Sequence, residues 1–562
     1  MNISQYFNRR AGAGVKRYNP YFIVSLIIFL VLNILLTIYN QNYLYGVNTG
    51  TIAFITIAQK YLRGDFYNAV VGGFGPLNSW LLIPFLKLGL TPMVSLSIVK
   101  LIVGLLTLIG VRLLSYKFEM TDNIKNVISF TAVPIVLQFT LTEHIPDLLI
   151  VCAVIYYLDI IFSSDYPDKA YKGMLCGITG AIGYFGKAFM FPFFISHFTM
   201  LNILHYCRTK DKKVLRNTML GFVLFFIVSA PWMIILSNKY NTIAFDVSGA
   251  YNHRISGPDV PRITEYYGWE GWRNFIRMGH PVYDQGFFPP PNDTAISIWE
   301  DFTLLTPYLK SWSPFESWYN FKYQLGIVGK NIYYTIGIFE SYFSIFSSAI
   351  IVGYILLYLI PFRSLIFQDH RLYPLLTLFL YCGGYILVFP NVRYLWANNI
   401  LVFLMGGHIL NVLFQNELFN KARRNLMITF FVLSFILLPL KEAAMTQNYD
   451  KDFGMLGKKL QMYSELTGKK IASNDKFSET LKILFYSNMN VKYYGQARKN
   501  ISDEDLQVEL KKYGIDYYLV WGDLTTNEAL RYISNSGEIT GGISYKDMLS
   551  GNILGFKIYS LK

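Results

Sequence analysis

Residues 46–85 read GVNTGTIAFITIAQKYLRGDFYNAVVGGFGPLNSWLLIPF, and this stretch decides how the rest of the chain is arranged. It follows an apolar run at 21–39 that is long enough to cross a hydrocarbon core of about 30 Å. The stretch is too polar to cross again and too apolar to hang free in water, so it is expected to lie along a membrane surface. Two surface helices are predicted in it, at about 50–63 and about 77–89. The second is hydrophobic but short. If it crossed, the basic loops at Lys117 and Arg208 would fall on opposite sides of the membrane; treated as re-entrant, it leaves every basic loop on one side.

Composition supports the membrane setting. The 562 residues are 53% hydrophobic, 17% aromatic and 15% charged, against about 25% charged in soluble domains. Backbone in lipid must satisfy its own hydrogen bonds, so the apolar runs are helices. The expected fold is mostly α: a polytopic bundle of about 11 transmembrane helices with external surface helices. The spans are predicted near 21–39, 94–114, 126–141, 148–163, 173–187, 189–206, 217–236, 342–361, 372–389, 395–414 and 425–440, each to within about a turn. The net charge of +14 does not indicate nucleic acid, because the cations sit in short loops between apolar runs, such as Arg208, Lys210, Lys212, Lys213 and Arg216. That bias puts the N-terminus in the cytoplasm and two loops outside, at about 40–92 and about 237–340. Cys152, Cys176, Cys207 and Cys382 lie in or beside apolar runs and suggest neither a disulfide framework nor a zinc site. The run at 21–39 lacks a small-residue cleavage site and is expected to be a retained helix.

The membrane part is expected to span 1–445. Residues 446–562 are more polar and alternate strand and helix: KKIASN, VKYYGQA, IDYYLVWG and ILGFKIYSL as strands, KFSETLKILFYSN, DEDLQVELKKYG and TTNEALRYISNSG as helices. This predicts a small extracytoplasmic α/β domain with a largely parallel sheet. No glycine-rich phosphate turn follows its first strand, which argues against a nucleotide site.

Ionisable residues at membrane depth are costly and often functional. Lys100, the TEHIPD turn with Glu143, His144 and Asp147, Lys187 and Arg393 are all expected at the outer membrane level. Snorkelling explains any one such cation; it explains less well the recurrence of acids and cations at one level on successive helices. Cations around a cavity suit a phosphate, and a nearby carboxylate can act as base. Glu143, His144 and Asp147 could share one helix face as metal ligands, but Pro146 makes continuous helix there doubtful. A hydrated helix end is favoured, so no metal site is assigned, although a divalent metal stays possible. The large loop holds Trp269, Trp272, Trp299, Trp312 and Trp318, more than an interfacial belt needs. They suit a wall around an amphipathic ligand.

Taken in order, these motifs resemble the polytopic glycosyltransferases of the C-type fold that use polyprenyl-phosphate sugars, including the protein O-mannosyltransferases and aminoarabinose transferases. The resemblance rests on Ala53, Gly64-Asp65-Phe66, GPLNSWLLIPF, Asp147, GYFGKAF with Lys187, Pro231-Trp232 and Arg393-Tyr394. It implies a prokaryotic inner-membrane enzyme that transfers a sugar, with inversion, to an extracytoplasmic glycan, lipid or protein. Lys187, Arg393 and Lys100 would hold the donor phosphate, and Tyr394, Trp269 and Trp272 would form the acceptor or lipid wall. The chain departs from the family at its first acid, where Asn48 and Thr49 stand. An amide orients a hydroxyl but does not take its proton. Candidate bases are therefore Asp147, Asp65 and Glu143, in that order, or an acid of the large loop such as Asp246 or Asp259. The alternative is a relative that binds lipid-linked glycan without transferring it; a transporter is less favoured, since no internal repeat is found.

Overall fold

The protein is represented by a computed structural model that describes residues 19–39, 45–141, 145–258, 286–358, 370–415, 418–445, 449–496, 501–521, 543–546 and 553–561. Its main helices are α1 (Pro20–Tyr39), α2 (Thr49–Leu62), α3 (Pro92–Ser115), α4 (Asp122–Leu141), α5 (Ile145–Ile161), α6 (Ala170–Gly186), α7 (Met190–Thr209) and α8 (Lys212–Tyr240). These are followed by α9 (Trp318–Ile338), α10 (Ser347–Tyr358), α11 (Tyr373–Ile386), α12 (Trp396–Leu413) and α13 (Lys421–Met445). A helix stands at every position where a span is expected from the sequence. Among the described residues, six helices are long and apolar enough to cross a membrane, or seven if the bent pair α9–α10 counts as one. By length, α5 and α6 fall short: each has 17 residues, about 26 Å at 1.5 Å per residue. Their shortness brings polar groups toward the membrane surface, with Asp147 in the first turn of α5 and Lys187 directly after α6.

Packing follows helical spacing. Along α1 the buried positions are Ser25, Phe29 and Asn33, one stripe at i, i+4 and i+8. Asn33 donates to the Thr140 hydroxyl at 2.8 Å, so the stripe also pairs its polar group. Helices α6 and α8 approach closely. A Cβ on Gly177 would stand 2.1 Å from the Gly221 carbonyl oxygen. Small residues let helix backbones meet this closely.

Three features differ from expectation. The second surface helix is two short turns, Leu77–Trp80 and Ile83–Lys87; Pro84 has no N–H with which to bond back to the first turn. The large loop ends earlier than expected, because α9 begins at Trp318 and a π-helical turn at Phe339–Phe343 leads on toward α10, whose axis is bent 111° from α9. Lysines and asparagines in α9 disguise that helix in the sequence. The sheet is mixed rather than largely parallel. Strands β1 (Phe287–Phe288), β2 (Lys470–Ser473), β3 (Lys492–Gln496), β4 (Tyr517–Trp521), β5 (Ile543–Lys546) and β6 (Ile553–Ser560) lie in the order β1-β3-β2-β4-β6-β5. Among the described residues, only β2–β3 and β2–β4 are parallel. The edge strand β1 comes from the large loop and pairs antiparallel with β3. The expected helix TTNEALRYISNSG lies outside the described residues.

The C-terminal unit packs on the segments around 47–52 and 293–296. Val47 and Ile52 share an apolar cluster with Leu456, Leu466, Ile471 and Leu481. Tyr493 donates its backbone N–H to the Ile296 carbonyl at 2.6 Å, and Lys492 pairs with Asp293 at 2.7 Å.

Replacing Gly177 by Ala is expected to force α6 and α8 apart and to cost about 1–3 kcal/mol. Thermal unfolding in detergent checks this; an unchanged midpoint would show that the close approach is not limiting.

Candidate functional site

The site is built where three helix ends meet. Asp147, in the first turn of α5, is 5% exposed. Lys187 is the C-cap of α6, with extended backbone (φ −159°, ψ 131°) that turns its side chain off the helix, and its N–H still bonds Gly183 O. The Lys187 ammonium pairs with Asp147 Oδ1 at 2.9 Å. Arg393 lies in the 3-10 turn that leads into α12, and its Nε stands 3.5 Å from Asp147 Oδ2. The Lys187 Nζ sits 3.4 Å from the centre of the Tyr394 ring and 5.4 Å from that of Tyr385. Tyr394, Tyr385 and Phe189 stack in series, with centroids 5.0 and 3.9 Å apart. Aromatic faces favour cations, more so when water is excluded. Removing one partner from a buried ion cluster leaves an uncompensated charge, a loss of about 3–5 kcal/mol.

The segment between α2 and α3 braces this cluster. Asn78 donates to the Gly186 carbonyl at 2.8 Å and to Gly75 O at 3.1 Å. Gly75 lies against the end of α6, where a Cβ would come within 2.2 Å of Phe185 O. Gly75 is thus small because its backbone meets the α6 backbone one and two residues before Lys187, whereas Gly72 and Gly73 lie against the side chains of Val247 and Phe302.

Asp147, Lys187, Arg393 and Tyr394 are therefore brought together, as the sequence suggests. Lys100 is buried within α3, at 4% exposure. Asp65 forms a separate group: it accepts from Thr294 Oγ1 at 2.7 Å and from Asn68 Nδ2 at 2.9 Å. The Thr294 hydrogen bond is the main cause that lowers its carboxyl below the usual range. Asn48 is the N-cap of α2, and its side-chain oxygen accepts from Thr51 N at 2.8 Å and Thr51 Oγ1 at 3.2 Å. Asp246 caps the helix Ser248–Ile255 through Ser248 N and Gly249 N. Glu143, Asp259, Trp269 and Trp272 lie outside the described residues. Among the described residues no group of three or more His, Cys, Asp or Glu is placed to hold a metal ion.

Sequence reasoning misses two features. One is Tyr385, eight positions before Arg393; its spacing of four from Tyr381 on the end of α11 is the signal that could have found it. The other is a buried ion pair, Lys60–Glu300 at 2.6 Å, both side chains 2% exposed. Lys60 also bonds Asn292 Oδ1 at 3.2 Å, and Glu300 Oε1 accepts from Ile296 N at 2.6 Å. A lysine in an otherwise apolar helix face is a signal, but its partner lies 240 positions away and has none. Burial, the larger effect, pushes the Glu300 carboxyl upward, and Lys60 opposes it.

No family model matches the chain, and no curated protein matches it. Among solved structures, the oligosaccharyltransferase of Archaeoglobus fulgidus in its apo form aligns over 92% of this chain and 71% of its own, at 12% identity and a TM-score of 0.53. ArnT from Cupriavidus metallidurans bound to undecaprenyl phosphate aligns over 95% and 97%, at 12% identity and a TM-score of 0.46. The chain shares the fold of the archaeal oligosaccharyltransferase.

Two substitutions test the local chemistry. Asn48→Ala is expected to cost about 1 kcal/mol as the cap is lost, whereas Asn48→Asp keeps it; the two melting temperatures should differ accordingly. Lys60→Met alone is expected to cost about 3 kcal/mol or more by stranding Glu300, and Lys60→Met with Glu300→Leu to recover most of it. Equal melting of the single and double variants would show that the pair is not coupled.

Proposed function

We propose that this protein is a prokaryotic inner-membrane glycosyltransferase that moves a sugar from a polyprenyl phosphate to an extracytoplasmic glycan, lipid or protein. One observation carries the proposal: Lys187 and Arg393, from separate helices, converge on one buried carboxylate beside an aromatic wall. Two cations fixed this way suit a phosphate group. In the proposed reaction an acceptor oxygen attacks the anomeric carbon, and the bond from that carbon to the phosphate oxygen breaks. The phosphate leaves with the electron pair and is stabilised by Lys187 and Arg393, with Lys100 in support. The acceptor proton passes to a carboxylate, first Asp147 and second Asp65. Phosphate binding draws both cations toward the donor, which frees Asp147 to accept that proton. Displacement from the opposite face inverts the anomeric centre.

A second interpretation, a relative that binds lipid-linked glycan without transferring it, is favoured by Asn48. At the family acid's position stands an amide whose oxygen is occupied in capping α2.

Purified protein incubated with polyprenyl-phosphate sugars and a hydroxyl acceptor separates the two. For the transferase, Asp147→Asn is expected to lower kcat by a factor of about 100 or more, and Lys187→Ala to raise KM. Donor binding with no turnover in the wild type supports the second interpretation, and absence of both overturns the site.

A further inference from the structure

Arg112 lies in the last turn of α3 and is buried, at 5% exposure. Its Nη1 donates to Ser129 Oγ at 3.2 Å. Its guanidinium stands 5.1 Å from the centre of the Tyr116 ring and 5.8 Å from that of Phe22. Among the described residues no carboxylate pairs with it. A second cation approaches the same tyrosine: Lys125 Nζ lies 4.6 Å from the ring centre. The two charges therefore stand within about one Debye length, about 10 Å, of each other. Asp122, 3.4 Å from Lys125, has its side chain 82% exposed and is well solvated. More exposed cations at the same end of the bundle do have acidic partners. Lys117 pairs with Asp159 at 3.2 Å and Lys213 with Asp168 at 3.0 Å. Burying a charge is costly unless an opposite charge meets it. Arg112 inverts the pattern, being more deeply buried than these lysines and without a carboxylate.

We propose that Arg112 and Lys125 bind the phosphate of an anionic phospholipid, at the end of the bundle remote from Asp147. Helix α4 starts beside this pair and ends shortly before Asp147; its 20 residues span about 30 Å, so the two sites are separate. A guanidinium presents a fork of donors to a phosphate, and Ser129 engages only one of its nitrogens. Asn19 donates to Asn126 at 2.7 Å and ties the start of α1 to α4 beside the pair. The surface favours a lipid over free phosphate. Ile23 and Ile27 of α1 and Leu106 and Leu113 of α3 are exposed, on helices long and apolar enough to cross a membrane. Acyl chains can lie along them while the phosphate reaches the cations. Basic pockets between membrane helices suit anionic headgroups. This site is independent of the proposed transfer reaction.

The test titrates phosphatidylglycerol, phosphatidylcholine or inorganic phosphate into the full-length protein in detergent and reads affinity from the rise in melting temperature. It compares the wild type with Arg112→Gln, Lys125→Gln and Lys187→Ala, each against its own ligand-free baseline. Phosphatidylglycerol is expected to bind about tenfold more weakly to Arg112→Gln and about fivefold more weakly to Lys125→Gln, with Lys187→Ala unchanged. Phosphatidylcholine, whose headgroup carries its own cation, is expected to bind all four proteins alike. Lys125 is the less buried of the pair, so its variant decides the outcome if Arg112→Gln folds poorly. Wild-type affinity for phosphatidylglycerol in Lys125→Gln overturns the paired site, and so does a loss confined to Lys187→Ala, which puts the lipid at the ion cluster. Binding of inorganic phosphate that depends on Arg112, with no preference for phosphatidylglycerol, makes free phosphate the ligand and overturns the lipid assignment.

Discussion

Asp147 between Lys187 and Arg393 is the interaction on which the arrangement of this protein depends. A carboxylate this deeply buried is tolerable only when its charge is met at short range. The two cations arrive from α6 and from the turn before α12, so three helix ends must reach one point together. The glycine contact between α6 and α8 holds the α6 backbone in place, and the stacked rings of Phe189, Tyr385 and Tyr394 fix the cations laterally. The segment between α2 and α3 then closes on the same point, with Asn78 on Gly186 and Gly75 against Phe185.

Outside the bundle the same economy of contacts recurs. Residues 287–300 touch three parts of the chain. Phe287 and Phe288 extend the sheet, Asp293 and Ile296 bind β3, and Asn292, Thr294 and Glu300 bind α2 and the Gly64-Asp65 turn. This segment ties α2 and the turn after it to the C-terminal sheet. The Lys60–Glu300 pair anchors it through a charge contact that water scarcely reaches.

Much of the site is legible from residue types alone. Lys187, Arg393 and Asp147 stand at helix ends where lipid is expected, and charge in such places needs an explanation. Asn48 is legible as a departure from the resembled family, yet its role as the cap of α2 depends on the local backbone. Glu300 is not legible, and Tyr385 shows only in its spacing of four from Tyr381. The tyrosine matters because of rings stacked on it from other helices, the glutamate because of a lysine 240 positions away. Neither relation leaves a periodic trace.

By itself the sequence determined the membrane class, the positions of the expected spans and the strand–helix alternation at the C-terminus. Hydrophobic length and local periodicity are properties of contiguous residues, and those properties set these features. Only the tertiary structure decided that the sheet is mixed and that it borrows β1 from the large loop. It also decided that α9 bends by 111° on its way to α10, and that Asp147, Lys187 and Arg393 share one ion cluster. Strand pairing, helix bending and charge pairing are set by chain segments far apart in sequence, and their energies exist only once those segments are packed.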